Sequence, residues 1–261
     1  MINSIKSIVE KMASSNGMKK DEFIKSCKQC SLILDEDEFD VALEYINDSG
    51  IKIIIKNDTI FTQSRFKNYK DEVFCVVDIE TNGNTPQNSQ IIELGAIKYQ
   101  SGKIIDRFES FVYCDFIPEY IEKITHISKC DLKNASKLKV ILPKFRKFLS
   151  DSIFVAHNVN FDYNFISGSL KKIGMEELLN RKLCTINLAK KTIKSEKYGL
   201  SYLKEELGID IANHHRAYAD ALSALEILKI SFENLPEGIN TTEELINFSN
   251  PQKKKKRKKQ D

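Results

Sequence analysis

Two acids stand two residues apart at the end of an apolar run, in Val76-Val77-Asp78-Ile79-Glu80. A strand alternates its side chains between two faces, so this spacing aims both carboxylates the same way. Acids at the end of a buried strand are costly unless a cation meets them; taken alone, the pair reads as a solvated strand end. A second segment, Phe154-Val155-Ala156-His157-Asn158-Val159-Asn160-Phe161-Asp162, sets a buried strand before a polar turn and puts Asp162 in the first turn of a helix. An acid there commonly does no more than complement the helix dipole. The third segment, Ala217 to Phe232, is apolar on nearly every side, yet Asp220 sits among Ala217, Ala219, Ala221 and Leu222. A carboxylate in a buried helix needs a partner. His215, five residues earlier, would point about 140° away were both residues helical, so it is read as lying in the loop that enters the helix, able to turn towards the same place.

Together the four carboxylates match a two-metal site, in which four negative charges offset two divalent cations and oxygen ligands suit Mg²⁺ or Mn²⁺. Neither cysteine nor a histidine pair is needed, so zinc is not favoured. The chain has no GxxxxGK[ST], no GxGxxG after a strand and no GxSxG, which leaves phosphoester hydrolysis as the chemistry these residues fit.

The elements that must hold these groups follow from periodicity. Val73 to Val77 and Ile153 to Ala156 read as buried strands, and Ile91 to Tyr99 and Ile104 to Tyr113 as paired strands around a turn at Ser101-Gly102. Val140 to Leu149, the stretch lined by Phe161, Phe165, Ile166, Leu170 and Ile173, Leu203 to Leu207 and Ala217 to Phe232 read as helices. This order predicts an α/β fold with a mixed sheet flanked by helices, spanning residues 72–233. Ahead of it, residues 1–63 show three helical patterns and a hairpin whose arms, Ile51 to Ile55 and Thr59 to Thr62, flank Lys56-Asn57-Asp58. That is the parts list of a winged-helix-like module. Its eleven basic and eleven acidic residues through position 70 lack the basic footprint of a DNA reader, so it is read as a protein-binding or scaffolding module. Residues 64–71 read as a polar linker.

Jointly, VVDIETNG, IIELGAIKY, AHNVNFDYNFI and HHRAYADALSALEIL resemble, in order and spacing, the motifs of the DEDDh 3′→5′ exonucleases of the DnaQ-like branch, over about residues 72–233. The resemblance implies an RNase H-like fold, with Asp78, Glu80, Asp162 and Asp220 as ligands for two Mg²⁺ or Mn²⁺ and His215 as general base. His214 is the nearest rival for the base, but the family's His-x-Ala spacing before the last Asp fits His215, Ala217 and Asp220. The resemblance also implies a contact from Thr81 to the terminal nucleotide. Phe161 belongs to the core or faces a base. His157 is expected to hydrogen-bond locally and hold its strand-to-helix turn. His126 stands where the family commonly has glycine, so its turn is expected to differ.

Which 3′ end is trimmed is decided by the rest of the chain. Residues 234–261 extend past the last catalytic helix, and Thr241 to Phe248 resembles a short capped amphipathic helix of the kind by which epsilon-type proofreading subunits attach to the catalytic subunit of a replicative polymerase. The reading that follows is a proofreading exonuclease acting on single-stranded or frayed DNA 3′ ends. Its rivals are an RNA 3′-trimming exonuclease with the same site and a non-catalytic polymerase-associated scaffold; the intact five-residue set argues against the last.

Composition excludes other classes. At 261 residues, 41% hydrophobic and 30% charged, the chain is neither fibrous nor wholly disordered. No apolar run approaches the ~18 residues of a membrane span, and the N-terminus lacks a signal peptide's apolar region, so a cytoplasmic protein is expected. Six scattered cysteines read as reduced thiols, and Cys27-x-x-Cys30 has no second pair to complete a zinc site. The net charge of +3 hides an asymmetry: setting aside the seven cations of Lys253 to Lys259 and the acid Asp261 leaves 33 basic against 36 acidic side chains, a net of −3. Attraction to nucleic acid outside the site is therefore concentrated in the tail, read as a solvated, disordered end.

Overall fold

A computed structural model describes residues 4–211 and 215–251. The sequence-based expectations for His214 and for the Lys253 to Lys259 run lie outside the described residues. Among those described, no helix is long and apolar enough to cross a membrane.

The N-terminal module runs α1 (Ile5–Ala13), β1 (Met18–Lys19), α2 (Lys20–Gln29), α3 (Phe39–Asp48), β2 (Ile53–Lys56) and β3 (Thr59–Thr62). Ser4 caps α1 by accepting from the Ser7 N–H. The hairpin turns through Asn57 and Asp58, both left-handed at φ 47° and 59°, as a two-residue turn matched to strand twist requires. A strand the periodicity does not show, β1, pairs with β3 to give the order β1-β3-β2; two residues are too short to carry an alternation. Ile8, Met12, Phe23, Ile46 and Ile60 fill this module's own core.

The main body continues with β4 (Phe74–Thr81), β5 (Ile91–Gln100), β6 (Lys103–Phe111), α4 (Glu119–Thr125), α5 (Lys129–Leu132), α6 (Leu138–Leu149), β7 (Ile153–Ala156), α7 (Val159–Lys172), β8 (Lys182–Cys184), α8 (Thr185–Thr192), α9 (Leu200–Glu206), α10 (Ala217–Glu233) and α11 (Thr242–Ser249). Its five-stranded mixed sheet has the order β6-β5-β4-β7-β8. β4 pairs antiparallel with β5 and parallel with β7, so the central strand is buried on both sides. Alternation sorts it: Cys75, Val77 and Ile79 join Leu142, Phe145, Phe165 and Leu170 of α6 and α7. Phe74 and Val76 join Ala221, Leu225 and Leu228 of α10 and Leu245 of α11 on the other face. Asp78 and Glu80 continue that second row, beneath α10.

The connection over residues 64–71 is not a free linker. Tyr69 is buried against the second face, its N–H donates to the Asn240 carbonyl at 3.1 Å, and the Thr242 N–H donates to the Lys67 carbonyl at 3.0 Å. Helix α11 likewise departs from the expected docking peptide. Thr241 and Glu244 form its capping box as the sequence implies, but Leu245 and Ile246 are buried in the chain's own core. Glu243, 1% exposed, pairs with Arg181 of the sheet edge and accepts from the Ser64 hydroxyl at 2.9 Å. Arg181 reaches Glu10 of α1 at 2.8 Å as well. The apolar face that the sequence offers to a partner is thus spent on bracing the N-terminal module against the main body.

His126 caps α4 at φ 57°, ψ 23°, so the left-handed turn that glycine favours is kept rather than remodelled, with a histidine bearing its cost. His126→Gly is expected to raise stability by up to about 1 kcal/mol, the left-handed penalty less glycine's greater freedom in the unfolded chain. The urea midpoint at unchanged slope measures this; a lower midpoint would mean that the imidazole's contacts outweigh the strain.

Candidate active site

Strand β4 is longer than its neighbour β7, and that difference opens the site. The parallel ladder ends at Val76↔Val155, leaving the edge of β4 beyond Val76 free of a strand on that side. The chain turns through Asn158 at φ 78° and starts α7 in the gap, which brings Asp162 alongside Asp78. The buried Asp162 carboxylate accepts from the Ile79 N–H and from its own, replacing a missing ladder bond with a side chain.

From the opposite direction α10 lays its first turn over β5. Gly95, opposite Asp78 in the ladder, lets it approach: a Cβ there would stand 2.3–2.6 Å from backbone atoms of Ala217 and Tyr218. Asp220 follows in that first turn, buried. His215, exposed and left-handed at φ 57°, lies in the loop two residues before the helix and donates its N–H to Asp220 Oδ2 at 3.2 Å. One ligand atom from each of Glu80, His215 and Asp220 lies within 4.8 Å of the others.

The electrostatics are those of charges held together against repulsion. Burial raises the Asp78 pKa well above the carboxylate range, and the charges of Asp162, Glu80, Asp220 and Glu93 add to it. Burial, then Asp220 and Glu93, push Glu80 up to about 8; burial, with Glu80, pushes Asp162 up to about 8. Such shifts mark a site short of positive charge. The donor set fits the implied cations, since clustered carboxylate oxygens suit a hard divalent ion such as Mg²⁺ or Mn²⁺.

The remaining sequence candidates separate. Thr81 is buried and donates its hydroxyl to the Gly83 carbonyl at 2.7 Å, holding the loop after β4 and leaving its oxygen as an acceptor. Phe161 is not core: it is 39% exposed and leans on Phe165 with ring centroids 5.8 Å apart. His157 does not bond locally. Its Nε2 donates to the Tyr198 carbonyl and its Nδ1 accepts from the Thr185 hydroxyl, both at 2.9 Å, fastening the turn to α8 and to the segment before α9. Burial lowers its pKa to about 4, so the ring stays neutral and structural. Two residues escape the motif reading. Glu93 is a buried acid in an apolar strand, and Arg216 meets it at 2.8 Å; the signal was the unpaired charge in Ile91-Ile92-Glu93-Leu94.

The family model for RNase T exonucleases matches residues 75–228, from β4 through the helix that carries Asp220. A PolC-type DNA polymerase III of Clostridium perfringens is 36% identical over 195 residues, which cover 74% of this chain but only 13% of the polymerase. Among solved structures, Escherichia coli exonuclease I in complex with a dT13 oligonucleotide superposes with a TM-score of 0.57 at 16% identity, over 63% of this chain and 42% of that one. Exonuclease X in complex with 5′-overhanging duplex DNA gives 0.51 at 20% identity, over 68% and 99%. These two likenesses establish the RNase H-like fold. Since the family match runs through every segment from which the carboxylates converge, the chain belongs to the exonuclease family, in its DnaQ-like branch.

Proposed function

We propose that this protein removes nucleotides from DNA 3′ ends and does so as a proofreading exonuclease beside a replicative polymerase. The observation that carries the hydrolytic part is the convergence of Asp78, Glu80, Asp162 and Asp220 with His215 at the mouth formed by β4, α7 and α10. Asp78, Glu80, Asp162 and Asp220 would hold two Mg²⁺ or Mn²⁺. When bound, these supply a nucleophile at neutral pH and neutralise the charge growing on the phosphate. His215, exposed at the rim, takes the proton of the attacking water. Water adds to phosphorus, the bond to the 3′ oxygen breaks, and a nucleoside 5′-monophosphate leaves behind a strand shorter by one residue. Phe161 stands beside Asp162 with its ring half open to solvent, placed to stack on a base, and Thr81 offers its oxygen to the terminal sugar.

The polymerase partner is supported by the 36% identity to a PolC-type chain of which this protein spans 13%. Because the apolar face of α11 is buried, what the helix offers a polymerase is its outer face, with exposed Glu244 and Asn247.

A proofreader takes its selectivity from fraying, because the terminal nucleotide must leave its pair to reach the carboxylates. Mismatched and single-stranded 3′ ends are expected to be cut faster than matched ones by the purified protein with Mg²⁺, and DNA faster than RNA of the same sequence. Equal rates on matched and mismatched ends would remove the proofreading reading, and a preference for RNA would replace it with RNA trimming.

A further inference from the structure

Glu93 faces Glu80 directly across the β4–β5 ladder, so two carboxylates project from adjacent strands on one side of the sheet. Like charges so placed are unfavourable, and a buried acid in an apolar strand persists only with a partner. Glu93, 7% exposed, is fully engaged. The Arg216 guanidinium grips it as a fork, with Nε at 3.1 and 3.2 Å from the two carboxylate oxygens and Nη2 at 2.8 Å from one of them. The Ala217 N–H donates to its Oε2 at 3.0 Å. Arg216 supplies no side-chain cap to α10; the carboxylate from the sheet caps the helix instead. The guanidinium also lies over the Phe111 ring at 5.0 Å, and Phe111 pairs with Glu93 in the next ladder.

The residues on either side of this grip are those of the site. His215 precedes Arg216 and Asp220 lies three residues past Ala217, with the Asp220 N–H donating to the Arg216 carbonyl at 3.0 Å. With Gly95 admitting the helix to the sheet, the grip leaves that first turn a single seat. We propose that Glu93, acting through Arg216 and the Ala217 N–H, is the positioning residue that sets His215 and Asp220 against Glu80. This rests on the nuclease reading above. Glu93 holds the strand that presents Glu80 and the helix that presents Asp220 at a fixed separation.

The full chain is assayed on a single-stranded oligonucleotide at saturating Mg²⁺. Glu93→Gln keeps an oxygen for Ala217 but loses the charge that holds the guanidinium, and kcat is expected to fall about 10–100-fold, the usual loss for a partner behind a metal ligand, with KM changed less than about twofold. Arg216→Gln should match it, Arg216→Lys should recover part of the loss, and the double variant Glu93→Gln/Arg216→Gln should be no slower than the slower single, because both act through one grip. A purely structural ion pair would lower the melting temperature and leave kcat per folded molecule unchanged; that result, or additive losses in the double variant, overturns the proposal. Should Glu93→Gln fail to fold, Arg216→Gln decides, its side chain being 39% exposed. A wild type that releases no nucleotide removes the nuclease reading and the clamp's role together, whereas an active wild type equalled by both single variants removes the clamp alone.

Discussion

Asp78→Asn is expected to lower exonuclease turnover by on the order of 10³-fold while leaving the metal-free protein folded and less sensitive to pH. The loss follows from the place of Asp78, within the field of four other carboxylates, Asp162, Glu80, Asp220 and Glu93; a cation held there is worth several kcal/mol of charge stabilisation, and each 1.36 kcal/mol is a factor of ten. The pH effect has a definite sign. In the folded chain Asp78, Glu80 and Asp162 hold protons more tightly than free carboxyl groups do, the latter two to about pH 8. Their favourable contribution is whole below the ordinary carboxylate range, where both folded and unfolded chains are protonated. As pH rises from about 4 towards 8 the unfolded chain ionises first, so stability falls across that window. Mg²⁺ reverses the trend by taking the place of the protons, and its stabilising effect should grow with pH. Asparagine removes one of the titrating groups and flattens the fall. Thermal melts from pH 4 to 8, with and without Mg²⁺, alongside turnover of a single-stranded oligonucleotide, check both halves. An Asp78→Asn protein that digests DNA at the wild-type rate would show that the carboxylates do not form the catalytic site.

Glu243→Ala is expected to destabilise the fold by roughly 3–5 kcal/mol, the cost of stranding a buried charge by removing its partner. The stranded group is Arg181, 9% exposed, whose remaining partner, Glu10, is largely solvated. The midpoint of thermal unfolding should drop by on the order of 10 °C for a chain of this size. Replacing the pair together, as Arg181→Met with Glu243→Leu, should cost far less, because neither charge is then left buried. The variant's turnover per folded molecule should match wild type, since the pair lies away from the carboxylate cluster. Urea unfolding of the two variants beside wild type separates the effects; a Glu243→Ala protein as stable as wild type would mean that the helix is not braced through this pair.

The contrast between these two sites shows where sequence reading succeeds. The period of two in β4 placed Asp78 and Glu80 on one face, and it could do so because the pleat makes side-chain direction a local property. The acid embedded in an otherwise apolar helix singled out Asp220 in the same way, and the turn after Ala156 announced Asp162. Composition and periodicity likewise settled the mixed sheet and most of its helices, though not β8, whose three residues carry no period. What the sequence could not contain is any quantity that depends on two elements meeting. That the apolar face of α11 braces the chain's own core was decided by tertiary packing, with Arg181, 62 residues away in the chain, taking Glu243, and amphipathicity alone does not say whose core an apolar face joins. That Phe161 is half open, that His157 reaches partners 28 and 41 residues distant, and that Glu93 caps a helix 124 residues later are likewise facts of tertiary packing. The sequence determined which groups are the candidates for the chemistry, because charge and alternation are local; only the tertiary structure decided what holds them in place, because a buried charge is satisfied by whichever partner the fold delivers.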